Sequence, residues 1–163
     1  MGERAGSGRT AVERGSEREL VVRRAFDAPV RLVFDAWTKP ELFRLWWAPK
    51  SSGVPLLACE MDVRTGGGYR LAFGHDASQA MAFFGRYLEV TPPSRLVWTN
   101  DESGDGAVTT VTFEESHGGT LLLLRELYPS KEALADAFIG MEDAMPEQFE
   151  QLDDLLATLR ANV

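Results

Sequence analysis

Alternation of apolar and polar residues dominates the middle of the chain. Between residues 55 and 128, short apolar or alternating runs fall at 55–63, 69–74, 80–90, 96–100, 107–114 and 120–128. Clusters of Gly, Pro, Asn, Asp and Ser separate them, the punctuation expected of strands. Consecutive strands this closely connected pair antiparallel, because a parallel crossover needs a dozen or more residues. An earlier run at 19–26, rich in Leu20, Val21 and Val22, adds one more. The pattern predicts a meandering antiparallel sheet of about seven strands, which twist tends to curl.

A helical period frames that sheet. Asp27-Ala28-Pro29 reads as a helix start with proline in the first turn, and Val30, Val33, Phe34 and Trp37 then recur on one face. Lys39-Pro40 breaks this helix and opens a second, shorter one in which Leu42, Leu45 and Trp46 share a face. Near the C-terminus Ser130 is the expected cap of a long helix. Phe138, Met141, Met145, Phe149, Leu152, Leu156 and Leu159 follow at steps of three and four, a continuous apolar stripe. Gly140 and Pro146 predict a bend or a loosened turn near its middle. Residues 1–16, rich in Gly, Ser, Arg and Glu, read as a disordered arm ahead of a single domain, 17–163.

The elements add up to an α+β domain in which one long helix covers a curved antiparallel sheet. A helix is about 10 Å wide with its side chains, whereas strands stand about 4.8 Å apart, so one helix is narrower than the sheet beneath it. Large side chains or a ligand must fill the difference. The chain holds four Trp, nine Phe, three Tyr and five Met, and such residues serve equally as packed core or as the wall of an apolar pocket.

Composition narrows the partners. The net charge of −8 opposes nucleic-acid phosphates, so no nucleic acid is expected. No apolar run approaches the ~20 residues needed to span a bilayer, so no membrane insertion is expected. With no apolar signal segment in the arm, a cytoplasmic location is the default. Cys59 is the one cysteine, which removes intrachain disulfides and thiolate zinc clusters; within Leu56-Leu57-Ala58-Cys59 it reads as a small buried hydrophobe. His75 and His117 fall in polar turns without metal-site spacing. Gly66-Gly67-Gly68 is a tight reversal with no helix after it, unlike a phosphate loop, and Arg64 is expected to tie back to Asp62 or a nearby carbonyl. No nucleophile–base pair is evident. Neither catalytic residues, a metal nor a cofactor is expected.

Several segments carry a family resemblance through their order and spacing. They are Arg24-Ala25-Phe26-Asp27-Ala28-Pro29 running into Val33-Phe34-Asp35-Ala36-Trp37, then Trp46-Trp47-Ala48-Pro49 and Cys59-Glu60-Met61-Asp62-Val63-Arg64-Thr65-Gly66-Gly67. Phe84-Gly85, Val90-Thr91-Pro92-Pro93-Ser94-Arg95-Leu96-Val97-Trp98-Thr99, Gly140-Met141-Glu142 and Leu152-Asp153-Asp154-Leu155-Leu156 complete the set. Together they resemble the bacterial single-domain relatives of the activator of the 90-kDa heat-shock chaperone ATPase, within the START and birch-pollen-allergen helix-grip (SRPBCC) superfamily. Ala48 and Ala144 stand where the family often has glycine, and Pro146 interrupts the last helix. The resemblance implies a helix-grip fold with a cavity between the curved sheet and the C-terminal helix. It does not imply a reaction, because the superfamily includes lipid and hormone binders, polyketide cyclases and chaperone activators.

Binding of a small hydrophobic or amphipathic molecule is therefore the expected function. The alternatives are a cyclase- or hydrolase-type enzyme using the same cavity, and a chaperone partner. Against the latter, the eukaryotic activator uses an additional N-terminal domain where this chain has only the arm. The fold also occurs as dimers, which leaves a homodimer open. Ligand contacts are assigned to Trp37, Trp46, Tyr69, Phe73, Phe84 and Trp98, and on the helix stripe to Phe138, Met141, Met145 and Phe149. Arg86 and Glu126 are the polar members. Period-two alternation puts Ala82, Phe84, Arg86, Leu88 and Val90 on one face. If that face is concave, Arg86 meets a ligand carboxylate or pairs with Glu126, which shares a face with Leu122 and Leu124. The opposite register leaves Arg86 in water. Of the adjacent Trp46 and Trp47, one ring should pack on the core while the other can reach the pocket entrance.

Overall fold

The computed structural model describes residues 10–101 and 106–161. In chain order it contains β1 (Ala11–Arg14), β2 (Glu19–Phe26), α1 (Val30–Thr38), α2 (Pro40–Phe43), β3 (Leu56–Met61), β4 (Gly68–Phe73), β5 (Met81–Thr91), β6 (Arg95–Thr99), β7 (Val108–Ser116), β8 (Gly119–Leu127) and α3 (Lys131–Ala161). Single 3-10 turns lie at Lys50–Ser52 and Ala77–Gln79. Among the described residues eight antiparallel strands form one unclosed sheet, ordered β1-β2-β8-β7-β6-β5-β4-β3. This is the helix-grip arrangement, with one strand more than expected.

The additional strand comes from the segment read as an arm. Ala11–Arg14 pairs with β2 from Ala11↔Arg23 to Arg14↔Leu20. Val12 takes the inward position beside Val22, and Glu13 lies 3.5 Å from Arg23. Residues 1–9 of that arm, and 102–105 of the turn expected at 101–106, lie outside the described residues. From β3 to β8 the chain is the predicted meander, and β2 closes onto β8 with an unbroken register from Glu19↔Leu127 to Phe26↔Thr120. Sequence alternation survives as geometry: Leu122 and Leu124 are buried while Leu121, Arg125 and Leu127 are exposed. His117 (φ 52°) and Gly118 (φ 81°) form the two-residue β7–β8 turn, whose twist suits a hairpin.

Pro29 ends an extended segment and leads into α1, which buries Val33, Phe34, Ala36 and Trp37. Pro40 opens α2, where its missing N–H costs no helical bond. Ser130 caps α3 through its Oγ, which accepts from the Ala133 amide at 3.1 Å. Where a loosened turn is expected at Gly140 and Pro146, α3 runs on as one element. Met145, Gln148 and Phe149 beside the proline are buried.

The core lies where α3 and α1 meet the β2, β8 and β7 side of the sheet. Leu20, Val22, Phe26, Leu122 and Leu124 meet Leu134, Phe149, Leu152 and Leu156 there. Phe149 meets Phe26 edge-on, with ring centroids 5.7 Å apart. Arg24 is also buried on this face; its guanidinium donates to Asp153 Oδ2 at 3.3 Å and to Thr10 Oγ1 at 3.2 Å, tying the sheet to α3. No helix of the described residues is long and apolar enough to cross a membrane.

Candidate ligand-binding cavity

Beyond the edge of α3 the sheet continues through β6, β5, β4 and β3 with only short cover. Their inward side chains include Met61, Tyr69, Leu71, Phe73, Phe83, Tyr87 and Trp98, which line a cavity of about 400 Å³. Trp37 of α1, Phe43 of α2 and Trp47 just after it complete the opposite wall. Pro49, Ser52, Val54 and Met81 line it as well. Met81 is 64% exposed and Val54 38%, which marks the side where the cavity meets solvent. The volume falls within the usual range for small-molecule sites.

Asn100 supplies the polar end. The Tyr69 hydroxyl donates to the Thr99 carbonyl at 2.8 Å and lies 3.3 Å from Asn100 Oδ1. Asn100 Nδ2 donates to the Ala107 carbonyl and to Thr109 Oγ1, each at 2.9 Å. Thr109 in turn donates to Glu126 Oε2 at 2.8 Å, and the Tyr128 hydroxyl donates to Glu126 Oε1. A chain of hydrogen bonds thus runs across the inner face from the cavity to a half-buried carboxylate. None of the described residues lining the cavity is charged. Burial pushes the Tyr87 phenol well above its ordinary value, with a smaller contribution from nearby Cys59, so it stays neutral. Burial likewise raises the Cys59 thiol, which Arg44 partly offsets.

Although α3 contributes nothing to the cavity lining, it fixes that wall in place. Gln148 Nε2 donates to the Trp47 carbonyl, and Gln151 Nε2 to the carbonyls of Trp46 (2.9 Å) and Ala48 (3.0 Å). Gln151 Oε1 accepts from the Lys50 amide at 2.9 Å, and Glu147 accepts from both the amide and the hydroxyl of Ser51. The Ser51 contacts hold the Glu147 carboxyl below its ordinary value.

Of the side chains assigned from sequence, Trp37, Tyr69, Phe73 and Trp98 meet around this cavity. The others stand elsewhere, for local physical reasons. Trp46 is fully buried behind it, donating to the Ala36 carbonyl at 3.0 Å, and Trp47 is the ring that reaches the lining. Phe84 and Arg86 are exposed because β5 carries a bulge. Tyr87 pairs with Trp98 but Glu89 pairs with Val97, leaving Leu88 over. An extra residue inverts the alternation. Val90 and Tyr87 both turn inward, and 82, 84 and 86 turn out. Arg86 therefore faces away from Glu126, which keeps the inward position and accepts from Thr109 and Tyr128. Phe138 lies under the Arg14 guanidinium, 5.1 Å from its ring centroid, against β1. Met141, Met145 and Phe149 pack into the core beneath α3. That helix fills the half of the sheet it covers, so the cavity opens beside it.

Sequence reasoning missed Phe43, Met61, Phe83, Tyr87 and Asn100. A period-two reading anchored on Trp98 and its hairpin partner Tyr87, instead of on Val90, would have found Phe83 and Tyr87. His75 and His117 are both exposed, and Arg64 Nε lies 3.0 Å from Asp62 Oδ2, the tie expected across the glycine turn. A second depression on the convex face is bordered by Arg23, Arg95 and Glu114. Its guanidinium groups already pair with Glu13 and Glu89.

Among curated proteins none matches this chain. Solved structures do. A crystal structure of a Rhodobacter sphaeroides protein is 28% identical, covers 93% of this chain and 99% of its own, and superposes with a TM-score of 0.84. The solution structure of a Staphylococcus epidermidis protein is 27% identical over 90% of this chain and 93% of its own, with a TM-score of 0.78. An AHSA1-like protein from Aeromonas hydrophila, at 21% identity, shares the fold over 83% of this chain and 92% of its own, with a TM-score of 0.71. The family model described as Activator of Hsp90 ATPase homolog 1-like protein matches residues 27–157. That span contains α1, α2, the whole of β3 to β8 and every residue lining the cavity, and the chain belongs to this family, within the SRPBCC superfamily.

Proposed function

We propose that this protein binds a small hydrophobic molecule in the cavity between β3–β6 and the α1–α2 segment. The observation that carries this reading is the unfilled apolar volume of about 400 Å³ beside a fully packed core. The cavity opens to solvent, and its apolar Phe and Trp walls favour a guest by about 25 cal/mol per Å² removed from water. The cyclase or hydrolase reading took a cavity acid such as Glu126 with Arg86 as its partner, and Arg86 faces the other side of the sheet from Glu126. N-phenyl-1-naphthylamine, a neutral fluorescent hydrocarbon-like probe, tests the reading. Saturable binding at one site per chain is expected, with Met61→Trp, which fills the space from the β3 side, abolishing it while the far-ultraviolet spectrum stays unchanged. Binding that persists undiminished in Met61→Trp, or no saturable binding at all, would overturn it.

A further inference from the structure

The chemistry of the cavity wall selects among hydrophobic guests, given that it binds one. Among the described residues its lining has no cationic side chain. Arg86, the anion partner considered from the sequence, points to the opposite face of β5. The polar chain leaving the cavity at Asn100 ends on Glu126, a negative group. An ionised carboxylate entering this space would lose its water and gain no counter-charge, a large cost in apolar surroundings.

A hydrogen-bond donor, by contrast, stands ready. The Trp37 ring lines the cavity, but its Nε1 is shut off from it, a buried atom with no partner among the described residues. Tyr87 also lines the cavity. Its backbone amide is bonded to the Gly67 carbonyl, but its hydroxyl makes no hydrogen bond to the described residues. Burial keeps that phenol protonated and therefore a donor. The rings of Trp37 and Tyr87 both pack on Trp98, at centroid distances of 6.0 Å and 6.4 Å, and form one aromatic corner of the cavity. A hydroxyl among apolar walls has few acceptors to meet, and a guest carrying an acceptor oxygen supplies one. We infer that the cavity is built for a neutral aromatic or polycyclic molecule presenting a carbonyl-type oxygen to Tyr87, and that it excludes a carboxylate from its interior.

Three naphthalene probes of one skeleton separate this inference from the binding reading on which it rests. They are 6-propionyl-2-dimethylaminonaphthalene (the ketone), 6-dimethylamino-2-naphthoate (the acid) and 2-dimethylaminonaphthalene (neither). At pH 8 the ketone should bind about 100-fold more tightly than the acid. Tyr87→Phe, which keeps the ring and removes the hydroxyl, should weaken the ketone about fivefold and leave the third probe unchanged. An acid that binds as well as the ketone would overturn the charge exclusion. A ketone affinity unmoved by Tyr87→Phe, or a loss shared equally by the third probe, would overturn the donor role. If none of the three binds, the cavity itself is not a binding site and both readings fall.

Discussion

The two halves of the sheet have the same strand chemistry and opposite interiors. On the β2, β8 and β7 side the ladders run without interruption, from Val108↔Leu127 to Ser116↔Gly119 between β7 and β8. Every second side chain there points the same way, giving a ridge on which α3 can lie and which it fills. On the β3, β4 and β5 side the register shifts between Leu56 and Ala58 and again between Tyr87 and Glu89. Each bulge bends its strand and increases its twist. The cover over this half is the short α2 and the irregular segment after it, pinned by Gln148, Gln151 and Glu147. The cavity is thus a property of where the long helix is absent. Regular alternation builds core, and interrupted alternation under short cover builds space.

The largest test of this contrast is a matched pair of truncations. Phe149 is fully buried against Phe26 and Trp37, and Phe149→Ala should cost about 3–5 kcal/mol in urea unfolding. Phe83 is half-buried and borders existing space, so Phe83→Ala should cost about 1 kcal/mol while weakening probe binding. Equal costs would mean that the two halves are equally packed.

Loose packing of side chains does not imply loose packing of backbone, and a glycine separates the two. Gly85 faces inward on β5 opposite Tyr69, and a Cβ there would stand 1.9 Å from the Thr99 carbonyl oxygen. The obstacle is main chain and cannot rotate aside. Gly85→Ala should therefore cost about 1–3 kcal/mol by overpacking, more than Phe83→Ala despite adding one methyl group. Thermal unfolding of the two variants side by side decides the order, and a neutral Gly85→Ala would show that the bulged half yields at the backbone too.

The same contrast explains what could be read from the sequence. The α+β class, the meander, both helical ends and the family were legible because they rest on periods of 2 and 3.6 sustained over many residues. Tyr69, Phe73 and Trp98 were legible as wall residues because no bulge intervenes between them and the strand ends that set their phase. Phe84 and Arg86 were misplaced by a single extra residue, Leu88, which leaves no mark in hydrophobicity: Leu88, Phe84 and Met81 are all exposed, so the outward face of β5 is as apolar as an inward one. The helix stripe from Phe138 to Phe149 was equally apolar whether it lined a pocket or a core. Its lateral position over β1 and β2 depends on long-range pairing such as Arg24 with Asp153, and no local pattern encodes that. Strand β1 was hidden because four residues with one inward valine carry too little alternation to stand out from a polar arm.

The smallest expected effect concerns the pinned cover itself. Glu147 is held below its ordinary value of 4.5 by the Ser51 hydroxyl and amide. A carboxyl whose folded value is depressed stabilises the fold above its unfolded value and loses that contribution as pH falls through the folded one. Above 4.5 the Ser51 contacts are therefore fully in force; in more acid solution the carboxylate protonates and they weaken. Gln148 and Gln151 do not titrate, so the Trp46, Trp47 and Ala48 carbonyls should stay held. In an amide-resolved NMR titration the Ser51 resonance should move through an inflection below 4.5, while Lys50, bonded to Gln151, moves little. Glu147→Gln should remove that inflection and speed probe release at neutral pH. If Ser51 titrates unchanged in Glu147→Gln, the carboxylate does not pin this wall, and the distinction between a half packed by α3 and a half merely tethered by it loses one of its tethers.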